Sequence, residues 1–89
     1  MKINKEIEEQ IINFGVFGYS PQKMSNILEI EIDIIQTQIK DSNSEFNKLY
    51  QKGTDTADYV IDLKLFEMSR QGDLKALEEF ERRKRKRKI

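Results

Sequence analysis

The first part of the chain carries apolar residues at the spacing of an amphipathic helix. They recur every three or four positions across residues 5–14, which predicts a helix over that segment. Asn4 suits the N-cap, and Gly15 fits the position just after a helix end. The apolar segment 16–19 is expected to connect this helix to the next and to contribute to the core.

Two shorter helices are predicted next. Ser20 followed by Pro21 is a strong start signal, because serine caps and proline suits the first helical turn. It predicts a helix over residues 21–28, a tight connection at 29–30 and a third helix over 31–40. The letters EIEIDII also alternate with the period of a strand, but the spacing of the later isoleucines favours a helix.

A helix pair joined by a tight turn and preceded by another helix is typical of a helix-turn-helix unit. The same periodicity fits any small three-helix bundle, and the pattern does not separate the two. The predicted unit covers residues 1–41.

The second half of the pattern predicts further helices and hence an all-α fold. Apolar positions step by threes and fours from Ser44 to Arg70, which indicates one long helix. Gly53 costs about 1 kcal/mol in a helix interior, so two abutting helices are the alternative. Gly72 and Asp73 then indicate a helix end followed by a new N-cap. Residues 42–81 are interpreted as an oligomerisation region and 82–89 as a basic tail.

Composition narrows the chemistry. The 89 residues include no cysteine and no histidine, which removes disulfides, thiolate chemistry and the commonest general base. Asp55, Asp58 and Asp62 line one helical face, and we interpret them as a solvated surface paired to lysines. We expect no enzymatic activity, no catalytic residue, no metal and no cofactor.

The distribution of charge is strongly asymmetric. Sixteen basic and sixteen acidic residues cancel overall, but seven of the basic ones form the run 82–88. Residues 1–81 are left with nine basic residues and a net charge of −7. A polyanionic partner, double-stranded DNA, is the preferred explanation, and a solubilising tail is the alternative. If all seven cations contacted phosphate, the slope of log affinity against log salt concentration (the salt slope) would be about −6.

The candidate DNA-binding residues belong to two regions. On the predicted recognition helix and its neighbour, side chains able to reach bases or phosphates are Lys23, Gln36, Thr37 and Lys40. Glu31 and Asp33 on the same helix would repel phosphate. In the tail the candidates are Arg82, Arg83, Lys84, Arg85, Lys86, Arg87 and Lys88.

A chain this short is expected to self-associate. It buries only about 60–65% of its unfolded surface, so small folds of this length often gain stability as oligomers. The apolar series in the last two helices exceeds what one small unit can cover. We therefore expect a homo-oligomer larger than a dimer, with an interface formed by Val60, Leu63, Phe66, Leu74 and Leu77.

The order of motifs resembles the small terminase subunits of tailed bacteriophages. The Ser-Pro-capped helix pair is followed by NSEF, LYQKG, ADYV and LFEM, and then by QGDLKALEEF. The resemblance covers about residues 19–83. It implies a ring-forming protein that recognises viral DNA and recruits or stimulates the large terminase subunit, which carries the catalytic centres of genome packaging.

Two departures from that family matter. Family members are generally longer and engage the large subunit through a further C-terminal part, and the recognition helix here is acidic. The alternatives are a phage or prophage transcriptional regulator, which would be a dimer on a palindrome, and an adaptor protein with a nonspecific nucleic-acid-binding tail. No apolar run reaches membrane-spanning length, and the N-terminus lacks a signal-peptide pattern, so we expect the cytoplasm of an infected bacterial host.

Overall fold

A computed structural model of the protein describes residues 1–87, and within them the regular structure consists of five α-helices and no strand. The chain is all-α, as predicted. The helices are α1 (Lys5–Phe17), α2 (Pro21–Leu28), α3 (Ile32–Lys40), α4 (Glu45–Arg70) and α5 (Leu74–Lys86). The strand alternative for the isoleucine-rich segment is therefore wrong, and the long helix is one helix rather than two.

The first helix begins as predicted but extends further. The Asn4 side chain accepts a hydrogen bond from the amide of Ile7 at 2.8 Å. The helix ends at Gly18, whose φ of 70° lies in the left-handed region that glycine adopts readily. The prediction that Gly15 follows the helix end is wrong, because Gly15 is buried within α1. Phe17 is exposed in the last turn, so the expectation that residues 16–19 join the core fails there.

Local capping defines α2 and the start of α3. The Ser20 hydroxyl accepts a hydrogen bond from the amide of Lys23 at 3.2 Å. Glu29 takes a left-handed conformation with a φ of 57° and ends α2. The Ser25 hydroxyl donates to the carbonyl of Ile30 at 2.5 Å and secures the connection. Helices α2 and α3 contact each other, and their assignment as a helix-turn-helix unit stays a prediction.

The chain divides into two compact units, and the first comprises Met1–Thr56. Its core takes side chains from α1, α2, α3 and the beginning of α4. These are Ile11, Phe14, Met24, Ile35 and Phe46. A long-range hydrogen bond at 3.0 Å, donated by the Tyr50 hydroxyl to the carbonyl of Tyr19, ties α4 to the segment before α2.

Helices α1 and α4 touch through two glycines. A Cβ atom on Gly15 would overlap the carbonyl of Tyr50, and one on Gly53 would overlap the carbonyl of Ile12. The Thr54 hydroxyl donates to the carbonyl of Gly15 at 3.1 Å across the same crossing. Gly53 therefore lies inside a helix because the two backbones approach too closely for a side chain.

The second compact unit begins at Ala57 and contains the rest of α4 and α5. Gly72 has a φ of 96°, and the Asp73 carboxylate accepts a hydrogen bond from the amide of Ala76 at 3.0 Å, as the sequence pattern predicted. The rings of Phe66 and Phe80 pack 5.7 Å apart. This division falls inside α4, and the functional boundaries expected after residues 41 and 81 stay predictions.

Candidate nucleic-acid interface

The basic run is not a separate tail in the part that the structure describes. Residues 82–86 continue α5 without interruption, and Arg87 caps it. The sequence left open whether this run frays or extends the helix when an anion screens its repulsion. The screening anions belong to the chain itself, because carboxylates on α4 and α5 pair with three of the arginines.

Two aspartates on α4 hold two arginines of α5. The Arg83 Nε donates to Asp62 Oδ1 at 2.7 Å, and the Arg83 Nη2 lies 3.3 Å from Asp58 Oδ1. The Arg87 Nη1 lies 2.5 Å from the second oxygen of Asp62. The two aspartates are four residues apart, and so are the two arginines. This spacing places the aspartates on one face of their helix and the arginines on one face of theirs. We call Asp58, Asp62, Arg83 and Arg87 the carboxylate clamp.

The clamp shifts the pKa values of Asp62 and Arg83. The hydrogen bond from Arg83, followed by that from Arg87, lowers the pKa of Asp62 below its ordinary value, and partial burial opposes this effect. The hydrogen bond to Asp62 raises the pKa of Arg83. In Asp62 and Arg83, the oppositely charged partner stabilises the ionised form of the side chain.

The helical phase of α5 separates the basic residues into two sets. Arg83 and Arg87 face α4, whereas Arg85 lies about 200° round the helix from Arg83, on the opposite side. Lys84, Arg85 and Lys86 are exposed, and the ammonium group of Lys84 lies 5.6 Å from the centre of the Phe80 ring. Arg82 pairs with Glu79 on its own helix. Lys88 lies outside the described residues.

The predicted contact residues of α3 are on its surface. Gln36, Thr37 and Lys40 are all exposed. The Thr37 hydroxyl donates to the carbonyl of Asp33 at 2.8 Å, which orients it along the helix. Lys23 on α2 is also exposed, and its ammonium group lies 4.2 Å from the centre of the Tyr19 ring.

The acidic residues named with this surface are exposed as well. Glu31 occupies the N-cap position of α3 without a side-chain cap hydrogen bond, and Asp33 lies in the first turn. A carboxylate in the first turn favours the helix through its dipole. The same charge opposes the approach of phosphate to that end of α3.

All five residues predicted for the oligomer interface are exposed in the single chain. Val60 retains 57% and Leu74 retains 72% of their accessible surface, and Leu63, Phe66 and Leu77 are each more than 40% exposed. Tyr59 and Ile61 add to this apolar surface, although sequence reasoning did not include them. In the described part of the second unit, only Ala76 is buried.

The carboxylate clamp is the feature that sequence reasoning missed. The aspartate row was assigned to lysine neighbours, whereas Asp58 and Asp62 pair with arginines of the last helix. The signal in the sequence was a matched spacing. Two acidic residues, Asp58 and Asp62, are four positions apart, and two basic residues, Arg83 and Arg87, have the same spacing. Within residues 1–87 the structure contains no group of three or more acidic side chains arranged to hold a metal.

The comparisons with known proteins add no relative. No protein-family model, curated protein or solved structure matches the chain. Among the described helices, none is sufficiently long and apolar to cross a membrane. The resemblance to small terminase subunits therefore rests on the sequence motifs alone.

Proposed function

We propose that this protein is a DNA-binding oligomer of the small-terminase type, which recognises viral DNA and recruits or stimulates the large terminase subunit. The observation that carries the proposal is the outward face of α5. Lys84, Arg85 and Lys86 extend from a regular helix into solvent. A helix that presents adjacent cations can follow the phosphate backbone of a duplex.

The contacts of α5 would supply affinity rather than sequence preference. Lysine and arginine bind phosphates independently of base identity, and each neutralised phosphate adds about −0.9 to the slope of log affinity against log salt. Readout of bases is assigned to Gln36 and Thr37 on α3, with Lys40 and Lys23 as phosphate contacts. Glutamine can bind adenine through two hydrogen bonds, which makes Gln36 the most informative of these positions.

Self-association is the second part of the proposal. Seven large apolar side chains are exposed on the described surface of α5 and the second half of α4. Exposed apolar side chains that lie together mark interaction sites. More than two copies would cover this surface and repeat the DNA-binding helices around one assembly. We assign no catalytic residue, metal or cofactor to this chain, so the packaging chemistry would belong to the large subunit.

Charge reversal on α5 tests the DNA-binding proposal. The variant Lys84→Glu with Arg85→Glu should weaken binding to a DNA duplex at least about tenfold near 50 mM salt, and it should reduce the salt slope by about 2. The matched control is Lys2→Glu with Lys5→Glu, which changes the net charge equally at exposed positions outside α5. Equal slopes for the two variants would refute the role of α5.

The adaptor alternative also has a specific observation in its favour. Three of the arginines in the basic run are in ion pairs, and the start of α3 is acidic. An adaptor would lose binding when the basic end of α5 is changed and would be insensitive to Gln36→Ala. The regulator alternative differs in stoichiometry, because it requires a dimer on a palindromic site.

A further inference from the structure

The clamp places carboxylates where a bound duplex would place phosphates. Arg83 uses both Nε and Nη2 to contact two separate aspartates, and Asp62 uses both of its oxygens to contact two arginines. Guanidinium groups bind carboxylate and phosphate oxygens with the same paired geometry. The α4 aspartates therefore occupy the donors that a phosphate group would use.

We propose that Asp58 and Asp62 act as an internal competitor of DNA phosphate for Arg83 and Arg87, so that the chain limits its own affinity for DNA. This inference rests on the proposed DNA-binding function and adds its regulation. Binding in this form is an exchange, in which a duplex must displace two carboxylates before it gains two arginine contacts. The outward cations, Lys84 and Arg85 among them, bind without such a displacement.

The exposure of the clamp makes this exchange stepwise. The Arg87 side chain is 45% exposed and the Asp58 side chain 49% exposed, whereas Arg83 and Asp62 retain 20% and 22%. Arg87 is held by an ion pair to one carboxylate, that of Asp62. Arg83 must leave two carboxylates that are held by hydrogen bonds, so it is released last.

A purely structural role for the clamp predicts a different outcome. If the ion pairs only joined α4 to α5, their removal would lower stability and leave the number of phosphate contacts unchanged. If the two aspartates compete with DNA phosphate, their replacement frees two arginines. The count of displaced counterions then rises, and the salt slope of DNA binding becomes steeper by about 0.9 for each freed arginine.

The experiment compares duplex DNA binding by the wild-type chain and by Asp58→Asn with Asp62→Asn over about 50 to 200 mM salt. The matched control is Asp55→Asn with Glu67→Gln, which removes two exposed charges from the same helix but touches neither arginine. We expect the clamp variant to bind more tightly than the control, with a slope steeper by about 2. Equal slopes for the clamp variant and the control would overturn the inference.

Failure of the inference and failure of the proposed function give separate results. If the wild type binds DNA and the clamp variant matches the control, the DNA-binding function stands and the competition does not. If the wild type does not bind and the clamp variant does, the competition is supported in its strongest form and the resting chain is not a DNA-binding protein. If neither binds, both are wrong.

A second measurement guards against a clamp variant that fails to fold. In the wild-type chain, the Arg83 Nε–H resonance reports the hydrogen bond to Asp62 directly in a nitrogen-edited NMR spectrum. Addition of a DNA duplex at low salt should shift this resonance as phosphate replaces carboxylate. An Arg83 resonance that stays unchanged while the backbone of α5 responds to DNA would overturn the inference without any substitution.

Discussion

At the scale of single residues, the two glycines between α1 and α4 decide how closely those helices approach. A Cβ atom on Gly53 would lie 2.9 Å from both the carbonyl carbon of Ile12 and the amide nitrogen of Val16. These neighbours are backbone atoms inside a helix and cannot rotate away. The crossing is therefore intolerant of any side chain at this position.

Gly53→Ala should destabilise the protein, although alanine is the better helix former by about 1 kcal/mol. We expect a net loss of about 1–3 kcal/mol, because the helices must separate to accommodate the methyl group. Denaturant unfolding of the wild type and the variant measures this loss in the free energy of unfolding. The control, Asn13→Ala, lies on the exposed face of α1 and should be neutral or slightly stabilising. A Gly53→Ala variant as stable as the control would contradict this packing.

The Asp62 carboxylate should make stability depend on pH. Its pKa is lowered in the folded chain by Arg83 and Arg87. Its contribution to the free energy of unfolding is therefore fully present above the pKa of the unfolded state, about 3.9, and is lost as pH falls through the pKa of the folded state. Asp62→Asn should therefore be less stable than wild type near neutral pH, by about 1 kcal/mol or less for a partly exposed pair.

Chemical denaturation at a series of pH values tests this dependence. The difference between wild type and Asp62→Asn should shrink as the solution is acidified below about pH 4. Arg83→Gln should show the same trend, because it removes the main partner of the carboxylate. A difference that remains constant into strong acid would show that Asp62 does not stabilise the fold through these ion pairs.

At the scale of the helices, local signals predicted most of the boundaries. The caps at Asn4, Ser20 and Asp73 act within one turn, so the sequence pattern was sufficient to place them. The end of α1 was misplaced because Gly15 is required by contact with α4, which is distant in sequence. The extension of α5 through Lys86 was undecided for the same reason, since the carboxylates that pair with Arg83 and Arg87 lie on another helix.

The role of α3 in DNA recognition can be tested at Gln36. Gln36→Ala should lower discrimination between a packaging-site sequence and random DNA by about 1–3 kcal/mol if the amide makes a bidentate base contact. Binding to random DNA should persist with the same salt slope, because the proposal assigns that component to the α5 cations. Competition binding with the two duplexes measures both quantities.

The neighbouring Lys40→Ala serves as the comparison for Gln36→Ala. It removes a charge from the same exposed face and should weaken binding to both duplexes alike. If Gln36→Ala changes neither affinity nor discrimination, α3 is not a recognition helix. The first compact unit would then be a structural or protein-docking module, and the adaptor alternative would be preferred.

At the scale of the whole molecule, the proposed self-association rests on the exposed apolar side chains of the second unit. Val60→Asp should dissociate the oligomer, because it places a charge in the proposed interface. Val60 is a better test than Phe66, whose ring also packs against Phe80 within the chain. Light scattering should report a lower mass for Val60→Asp, and circular dichroism should show unchanged helix content.

Asn13→Asp, at an exposed position of α1, controls for the same change of one charge. It should leave the mass as in the wild type. If Val60→Asp and the control have the same mass, this surface does not join copies of the chain. A wild-type mass equal to one chain would exclude self-association altogether.

The sequence predicted the exposed candidates of the site better than their relations to one another. Periodicity placed Gln36 and Val60 on helix surfaces, and the structure agrees. The number of unpaired cations at the described end of α5 could not be predicted in the same way. It depends on which arginines meet Asp58 and Asp62, and therefore on how the two helices of the second unit pack.

The central claim, an oligomer of more than two copies that binds duplex DNA, is tested most directly by native mass spectrometry. The purified protein is measured with and without a short DNA duplex at low salt. We predict a species that contains more than two chains and that shifts by the mass of one duplex when DNA is added. A single-chain mass that does not change on addition of the duplex would contradict the account.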